Sequence, residues 1–287
     1  MRVAYIVSAY KLPELFGRVI RRLDSEHATF VVHVDRKTED GVFARMVASA
    51  ASVRDVHFLQ RHACHWGDFG HVRATLKGIR HLLSNEIPFD YAILLTGQDY
   101  PIRSRQEIES FLAKADGQSF MHHWPLPYPL WDGRGGLDRL ESWHFIRYRR
   151  RLHVRVPLRR RLPGGLRPYG GTPYWVLSRA VIEWIDSFVA YNPRFVRFFE
   201  HVFVPDELFF QTLVMNSRLG DSVVDDDLRY TDWKRMPAPA ILGVADLPKL
   251  LESNALIARK FDPTVDSRVL DLLDAHLDRA LLPAQGQ

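Results

Sequence analysis

The first forty residues alternate between short apolar runs and one amphipathic stretch, and this alternation restricts the fold more than any other feature of the chain. Val3–Ser8 and Thr29–Val34 are rich in the β-branched and aromatic residues that strands favour. Lys11–Leu23, between them, places apolar side chains at helical spacing. A strand, a helix and a strand in this order predict a parallel sheet, and therefore an α/β protein.

The alternation continues along the rest of the chain. We predict further strands at Val56–Leu59, Tyr91–Leu95, Thr172–Ser178 and Ser222–Val224, and further helices at Asp40–Ala50, Phe69–Leu83, Arg179–Val189, Ala245–Ser253 and Ser267–Leu281. With 287 residues, 46% of them hydrophobic, the chain can bury a full core. The length suits one large α/β domain or two small ones.

Polar residues stand where three of the predicted strands end, namely Ser8, Asp35 and Asp99. In open α/β sheets, ligands bind beyond the carboxyl ends of the strands, so we expect these side chains to meet at one crevice. No GxGxxG follows the first strand and no GxxxxGK[ST] occurs in the chain. The sequence therefore supports neither a dinucleotide fingerprint nor a P-loop.

Residues 120–168 differ in composition from the rest of the chain, with many Pro, Gly and aromatic residues and little periodicity. This composition is typical of functional loops. The region contains a basic run made of Arg147, Arg149, Arg150, Arg151, Arg155, Arg159, Arg160 and Arg161. Such a run is either a solvated face or a surface that contacts phosphates of a nucleic acid, a lipid or a lipid-linked glycan.

The overall charge is mild, because 39 Lys and Arg residues against 34 Asp and Glu residues leave a formal charge of +5. Cys64 is the only cysteine, which excludes an intrachain disulfide. Residues 2–10 pass directly into a predicted strand and do not resemble a signal peptide. We therefore expect a cytoplasmic protein, with peripheral contact at the inner face of the membrane left open.

The segment Phe203–Leu213, FVPDELFFQTL, opens a predicted helix with a proline and two carboxylates. Pro205 suits the first turn of a helix, and Asp206 and Glu207 suit the positive end of the helix dipole. One interpretation is simply a capped helix start. In the other, the apolar side chains anchor the helix and leave Glu207 in a cleft, where its carboxylate can act as a general base.

Seven segments, in order along nearly the whole chain, resemble the core-2/I-branching β-1,6-N-acetylglucosaminyltransferase family, glycosyltransferase family 14, which includes the peptide O-xylosyltransferases. They are HVDRK at 33–37, HWGDFGHVRATL at 65–76, LLTGQDYPI at 94–102, GGTPYWVLSR at 170–179, VPDELFFQTL at 204–213, LRYTDW at 228–233 and ARKFD at 258–262.

The resemblance implies a GT-A-type, Rossmann-like mixed sheet flanked by helices, in a single domain over residues 1–287. Residues 1–119 would be the nucleotide-sugar-binding half, 120–168 the acceptor-side basic and aromatic loop region, and 169–287 the catalytic and C-terminal half. It also implies inverting transfer from a UDP-sugar to an acceptor hydroxyl without a metal or other cofactor.

For the chemistry, the resemblance implies that Glu207 is the base and that Lys260 contacts the donor diphosphate, with Arg259 as its neighbouring alternative. A second cation of the family, an arginine, falls on Pro237 in an ungapped alignment, and Arg235 or Lys234 would have to replace it.

The resemblance also implies further binding residues. The donor-side candidates are Val7, Asp35, Arg36, Trp66, Asp99, Lys260 and Arg235, and the acceptor-side candidates are Trp233, Glu141, Trp143 and Arg147. Asp35 would bind the uracil or ribose, and Trp233 would stack on the acceptor sugar.

We expect no metal site. Asp225-Asp226-Asp227 matches DxD formally but lies after the proposed base, and we interpret it as a solvated turn. The histidine pairs His65 with His71 and His122 with His123 have no Cys or carboxylate at zinc spacing.

The prediction is therefore a glycosyltransferase of polysaccharide biosynthesis that moves N-acetylglucosamine or xylose from its UDP-sugar to a glycan or lipid-linked glycan, forming a β-linkage. The alternative is a non-catalytic protein that keeps the fold and binds glycans or an anionic membrane surface through Arg147–Arg161. No recognised nucleic-acid module is present, so we expect no nucleic-acid partner.

Overall fold

The computed structural model describes residues 1–147 and 152–280. The strands are β1 (Val3–Ala9), β2 (Ala28–Val34), β3 (Val56–Phe58), β4 (Tyr91–Thr96), β5 (Asp99–Pro101), β6 (Ser119–Phe120), β7 (Trp124–Pro125), β8 (Trp143–Arg147), β9 (Leu152–Val156), β10 (Tyr169–Gly170), β11 (Val176–Ser178), β12 (Val223–Val224), β13 (Arg229–Thr231) and β14 (Ile257–Arg259). The helices are α1 (Pro13–Leu23), α2 (Asp40–Ser49), α3 (Gly70–Ser84), α4 (Arg105–Lys114), α5 (Asp132–Gly135), α6 (Leu137–Glu141), α7 (Arg179–Tyr191), α8 (Pro193–Phe199), α9 (Phe209–Met215), α10 (Leu247–Glu252) and α11 (Arg268–Ala280).

A seven-stranded sheet in the order β12-β6-β11-β4-β1-β2-β3 forms the centre of the molecule. β1 pairs in parallel with β2 and β4, and β2 pairs in parallel with β3, whereas β11 is antiparallel to β4. The order β3-β2-β1-β4 is that of the first four strands of a Rossmann fold. The predicted α/β class, with a mixed sheet flanked by helices, is confirmed.

Both faces of the central strands are covered, as parallel sheets require. In β1, Val3, Tyr5 and Val7 face one apolar cluster, while Ala4 and Ile6 face a second. Helix α1 belongs to the first cluster and α3 to the second. The continuous apolar runs of the sequence are therefore strands buried on two sides.

Two smaller sheets bring distant segments to the carboxyl edge of the main sheet. β14 pairs in parallel with β13 and antiparallel with β5, which directly follows β4. The second is the hairpin β8–β9, which lies inside residues 120–168. The prediction that this region is loop was wrong there, because pairing between two strands orders a segment that has little periodicity of its own.

The structure also shortens or adds elements. The strand predicted at Thr172–Ser178 begins only at Val176, and helices α4 and α8 were not predicted. Helix α4 nevertheless begins with a capping box, in which Ser104 and Glu107 exchange hydrogen bonds. In the part of the chain that the structure describes, no helix is both long and apolar enough to span a bilayer.

Candidate active site

Glu207 lies on a separate turn ahead of a helix. Residues 205–207 form one 3-10 turn, Leu208 breaks the helical path with φ −135° and ψ −35°, and α9 begins at Phe209. The prediction that Glu207 belongs to the first turn of the helix was wrong, because the backbone at Leu208 separates the two elements. Val204, before the turn, is left-handed with φ 51°. A β-branched residue there is strained, and such strain concentrates at functional sites.

Two glycine-containing loops anchor the Glu207 turn. The Val204 N–H donates to the Gly67 carbonyl at 3.0 Å, and the Gly171 N–H donates to the Glu207 carbonyl at 2.9 Å. The Trp66 ring meets Phe203 edge-on at a centroid distance of 5.5 Å. The tertiary structure thus brings together three motifs that are distant in sequence, namely those at 65–76, 170–179 and 204–213.

The Glu207 carboxylate is half-buried and pairs with a cation, Arg139. Arg139 Nη1 donates to Glu207 Oε2 at 2.7 Å, while its guanidinium lies 4.0 Å from the ring centre of Trp131. Burial, and next the charge of Asp206, raise the pKa of Glu207, whereas Arg139 lowers it. Burial also raises the pKa of Asp206 to about 6. A carboxylate held in this way is suited to proton transfer near neutral pH.

Arg139 was not recognised from the sequence. It lies in α6, inside the region read as an acceptor-side loop, and several other arginines occur nearby. No local pattern distinguishes it from them, because its partner is 68 residues away.

A second group of candidate residues, which are cationic, lies at the end of β14. Burial, and then the charges of Arg259 and Lys11, lower the pKa of Lys260. The segment is tied to the turn after β4, because Phe261 N–H donates to the Gln98 carbonyl at 2.9 Å and Gln98 Nε2 donates to the Phe261 carbonyl at 3.0 Å. Lys260 therefore lies at the carboxyl edge of the main sheet, where α/β proteins bind ligands.

Asp99 is fully buried beneath this segment. Its carboxylate accepts hydrogen bonds from Thr96 N–H at 2.7 Å and Thr96 Oγ1 at 3.0 Å. Arg229 and Arg259 lie 3.8 and 3.5 Å from it, and both guanidinium groups stack on Tyr174. Asp99, which was predicted to bind the donor, therefore pairs with Arg229 and Arg259. Its direct contact with the donor stays a prediction.

The candidates for the uridine end lie along the carboxyl ends of β1 and β2. Val7 is buried inside β1, as a core residue would be. Asp35 follows β2, accepts the Lys37 N–H at 2.8 Å and lies 3.2 Å from Lys37 Nζ. Arg36 is exposed, and Trp66 is 75% exposed, so both side chains are accessible to a ligand.

Arg235 is occupied by carboxylates. Its guanidinium contacts Asp232 at 2.7 Å and Asp246 at 2.8 Å. The neighbouring Lys234 and the residue at the family arginine position, Pro237, are both exposed.

The acceptor candidates lie on several elements. Trp233 is 54% exposed and available for stacking. Glu141 lies 2.7 Å from Arg134 and 3.7 Å from Arg159, and the Trp143 ring packs under Arg160 at 4.3 Å. Arg147 ends β8, and its side chain lies outside the described residues.

The basic run is not uniformly exposed. Arg160 is buried and donates to the carbonyl oxygens of Phe198 and His201 at 2.5 and 2.9 Å, and burial lowers its pKa to about 10. Arg155 donates to Ser142 Oγ at 3.0 Å. Arg149, Arg150 and Arg151 lie outside the described residues. The solvated-face interpretation was therefore wrong for Arg160, because its guanidinium ties backbone carbonyls together.

The aspartate triplet is partly structural. Asp225 accepts from His122 Nδ1 at 3.0 Å, and buried Asp227 accepts from Thr172 Oγ1 at 2.6 Å. The prediction of a solvated turn was thus wrong for Asp227. Over residues 1–147 and 152–280, two groups have ligand atoms close enough to share a metal ion. One is His122, Asp226 and Asp227, and the other is buried His33 and Cys64 with half-buried His62.

The fold defines an α/β protein, and its candidate functional groups are a carboxylate on the turn before α9 and cations at the end of β14. The model of the Core-2/I-Branching enzyme family matches residues 3–249. The chain belongs to this family, as the motifs predicted.

The chain is similar to vertebrate xylosyltransferases. It is 28% identical over 309 residues to xylosyltransferase 2 of Homo sapiens, with 96% of this chain and 34% of that protein covered. Xylosyltransferase 1 of Canis lupus familiaris is 24% identical, with 96% and 31% covered. The chain thus spans about a third of the length of these curated relatives.

Among solved structures, S. aureus TarS 1-349 aligns over 99% of this chain and 67% of its own, with a TM-score of 0.43 and 12% identity. The same fragment in complex with UDP-GlcNAc aligns over 65% and 48%, with a TM-score of 0.36 and 10% identity.

Proposed function

We propose that this chain is an inverting glycosyltransferase that moves xylose or N-acetylglucosamine from a UDP-sugar to an acceptor hydroxyl and forms a β-linkage. The observation that carries the proposal is the Glu207 carboxylate, held 2.7 Å from Arg139 on a strained turn that is tied to the Trp66–Gly67 loop. Membership of the family and the names of the xylosyltransferase relatives support it.

In this reaction Glu207 accepts the proton of the attacking hydroxyl. Its raised pKa strengthens it as a base, and Arg139 orients the carboxylate and favours its ionised form. Inversion follows when the acceptor oxygen attacks the anomeric carbon from the face opposite to the departing UDP.

The departing diphosphate needs positive charge. Lys260, with Arg259 beside it, supplies fixed cations at the carboxyl edge of the sheet. We therefore propose that the transfer needs no divalent ion, since these side chains can offset the negative charge that develops on the leaving group.

The acceptor is proposed to be a glycan or lipid-linked glycan, bound near Trp233 and the 120–168 region. A cytoplasmic chain that contacts the anionic inner face of the membrane would meet such acceptors. Among the described arginines of the basic run, Arg155, Arg159 and Arg161 are exposed and can make this contact, whereas Arg160 is buried.

The test is titration calorimetry with UDP, UDP-xylose, UDP-N-acetylglucosamine and UDP-glucose, in EDTA and then in Mn²⁺. We expect UDP to bind equally in both, and the tightest sugar nucleotide to identify the donor. Binding that requires Mn²⁺ would contradict the metal-free proposal, and the absence of UDP binding in both buffers would contradict a UDP donor.

Catalysis is tested separately by following UDP release from the tightest donor, with water as the acceptor. Glu207→Gln is expected to bind the donor as the wild type does and to lower the rate by about 10²–10⁴-fold. Donor binding without UDP release by the wild type would instead support the non-catalytic alternative.

A further inference from the structure

A second lysine, Lys11, lies at the carboxyl end of β1 and is placed there by the turn after β4. The Gly97 N–H donates to the Ser8 carbonyl at 3.0 Å. Gly97 also packs on Ala9, since a Cβ added at Gly97 would lie 3.2 Å from the Ala9 Cβ and 3.8 Å from the Lys11 carbonyl. The start of the β1–α1 connection is therefore held against this turn.

The same turn holds the segment that carries Lys260. Gln98 and Phe261 exchange two hydrogen bonds, of 2.9 and 3.0 Å. Lys11 Nζ then reaches across to Asp262 Oδ2 at 3.5 Å, two residues beyond Lys260. Burial and the charge of Arg259 lower the pKa of Lys260, and the charge of nearby Lys11 lowers it further.

The partner of Lys11 is shared. Thr264 donates to Asp262 Oδ1 from its hydroxyl at 2.6 Å and from its N–H at 3.1 Å. Lys11 remains 39% exposed, on a flexible stem that can turn away from a contact of 3.5 Å. Its charge is therefore available to a ligand, whereas Arg235 is held by two carboxylates at 2.7 and 2.8 Å.

The charges of this corner do not cancel. Among the described residues in contact here, four cations, namely Lys11, Arg229, Arg259 and Lys260, lie near three carboxylates. These are Asp99, Asp262 and Asp227, and Asp227 accepts the Arg229 N–H at 3.1 Å. The remaining positive charge has the sign needed to bind the negatively charged diphosphate of a nucleoside diphosphate sugar. Such an excess at a crevice attracts an anion of this kind.

We propose that Lys11 is a ligand of the donor diphosphate and supplies the second positive charge that Pro237 cannot provide. Its ammonium turns from Asp262 to a phosphate oxygen when the donor binds. Lys11 and Lys260 then contact the diphosphate from two sides, and Arg235 has no part in it. This inference rests on the proposed function.

The experiment compares UDP with uridine, which lacks the phosphates, by calorimetry in EDTA. Lys11→Ala is expected to weaken UDP binding about 10-fold and to leave uridine binding unchanged. Lys11→Arg, which keeps the charge, should restore most of the UDP affinity. Lys114→Ala removes an exposed lysine at the end of α4 and is the matched control for net charge.

The outcomes separate the two proposals. If the wild type does not bind UDP, the proposed function fails. A second outcome is that the wild type binds UDP, Lys260→Ala weakens UDP binding, and Lys11→Ala binds UDP as tightly as Lys114→Ala does. That outcome overturns only the role of Lys11. A loss of UDP affinity in Arg235→Ala as large as in Lys11→Ala would also overturn it. Thermal unfolding confirms that each variant is folded.

Discussion

The Arg139 guanidinium donates a hydrogen bond of 2.7 Å to Glu207 Oε2 while it stacks on Trp131 at 4.0 Å. Arg139 and Trp131 both belong to residues 120–168. One face of the Arg139 guanidinium packs on Trp131, and its edge orients the Glu207 carboxylate. The region that we predicted to bind the acceptor therefore also positions the group that would deprotonate it. A substitution in residues 120–168 that moves Arg139 would therefore also move the Glu207 carboxylate.

The first prediction concerns the pH dependence of UDP release. Activity requires ionised Glu207, so it should rise with pH through the raised pKa of this carboxyl. Arg139→Gln removes the charge that favours ionisation, and the acidic limb of the profile should move to higher pH. Asp206→Asn removes the neighbouring negative charge, and the limb should move to lower pH. Shifts of both variants in the same direction would contradict this assignment.

The second prediction concerns stability and Asp206. Its pKa of about 6 lies above the ordinary value of 3.8, so the folded state binds the proton more tightly than the unfolded state does. This contribution to stability is full below about pH 3.8 and is lost as the pH rises through 6. Asp206→Asn should therefore be more stable than the wild type at pH 7.5, by about 1–3 kcal/mol, and the difference should vanish near pH 4. Urea unfolding at both pH values measures it, and an advantage that persists at pH 4 would refute the explanation.

The third prediction concerns Gly171, whose N–H holds the Glu207 carbonyl. A Cβ at this position would lie 1.9 Å from the carbonyl oxygen of His122, so the backbone must move. Gly171→Ala should cost about 1–3 kcal/mol and lower the rate of UDP release. Gly41→Ala, in α2 with nothing within 4 Å of the added Cβ, is the control and should be stabilising. Equal stability of the two variants would show that the clash is relieved elsewhere.

The fourth prediction concerns Asp274, which connects α11 to the sheet. It accepts from Arg18 Nε at 2.8 Å, Arg22 Nε at 2.6 Å and the Tyr100 hydroxyl at 2.6 Å. Its side chain is 20% exposed, so Asp274→Ala leaves partly buried donors without an acceptor and should cost about 1–3 kcal/mol.

The control for Asp274 is Asp271, which also pairs with Arg18 but is 67% exposed. Asp271→Ala should change the free energy of unfolding by less than about 1 kcal/mol. Denaturant unfolding compares the two variants, and equal losses would show that burial does not decide the strength of these pairs.

The sequence predicted the parallel part of the fold well. β1, β2 and β4 lie within one or two residues of their predicted bounds, because strands buried on both faces read as continuous apolar runs. The short strands were harder to predict. β5 pairs with the distant β14, and β8 and β9 pair with each other, so the order of all three depends on strand pairing and their residues carry little signal of their own.

The candidate site was also predicted unevenly. Glu207 and Lys260 were proposed from motifs, whereas Arg139 and Lys11 were not, because their contacts are with residues 68 and 251 positions away. The separate turn at Glu207 was missed for the same reason. Its strained start at Val204 is held by Gly67, which no local pattern at Phe203–Leu213 reveals.

By itself, the sequence determined the α/β class and the family, since periodicity and local motifs encode these directly, and it indicated Glu207 and Lys260 as candidate site residues. Only the tertiary structure decided which charges remain available to a ligand. Arg235 and Arg160 are held by carboxylates or backbone carbonyls, while Lys11 lies 3.5 Å from Asp262, a carboxylate that it shares with Thr264. The availability of a charge depends on the neighbours that folding supplies, and in this protein they come from distant parts of the chain.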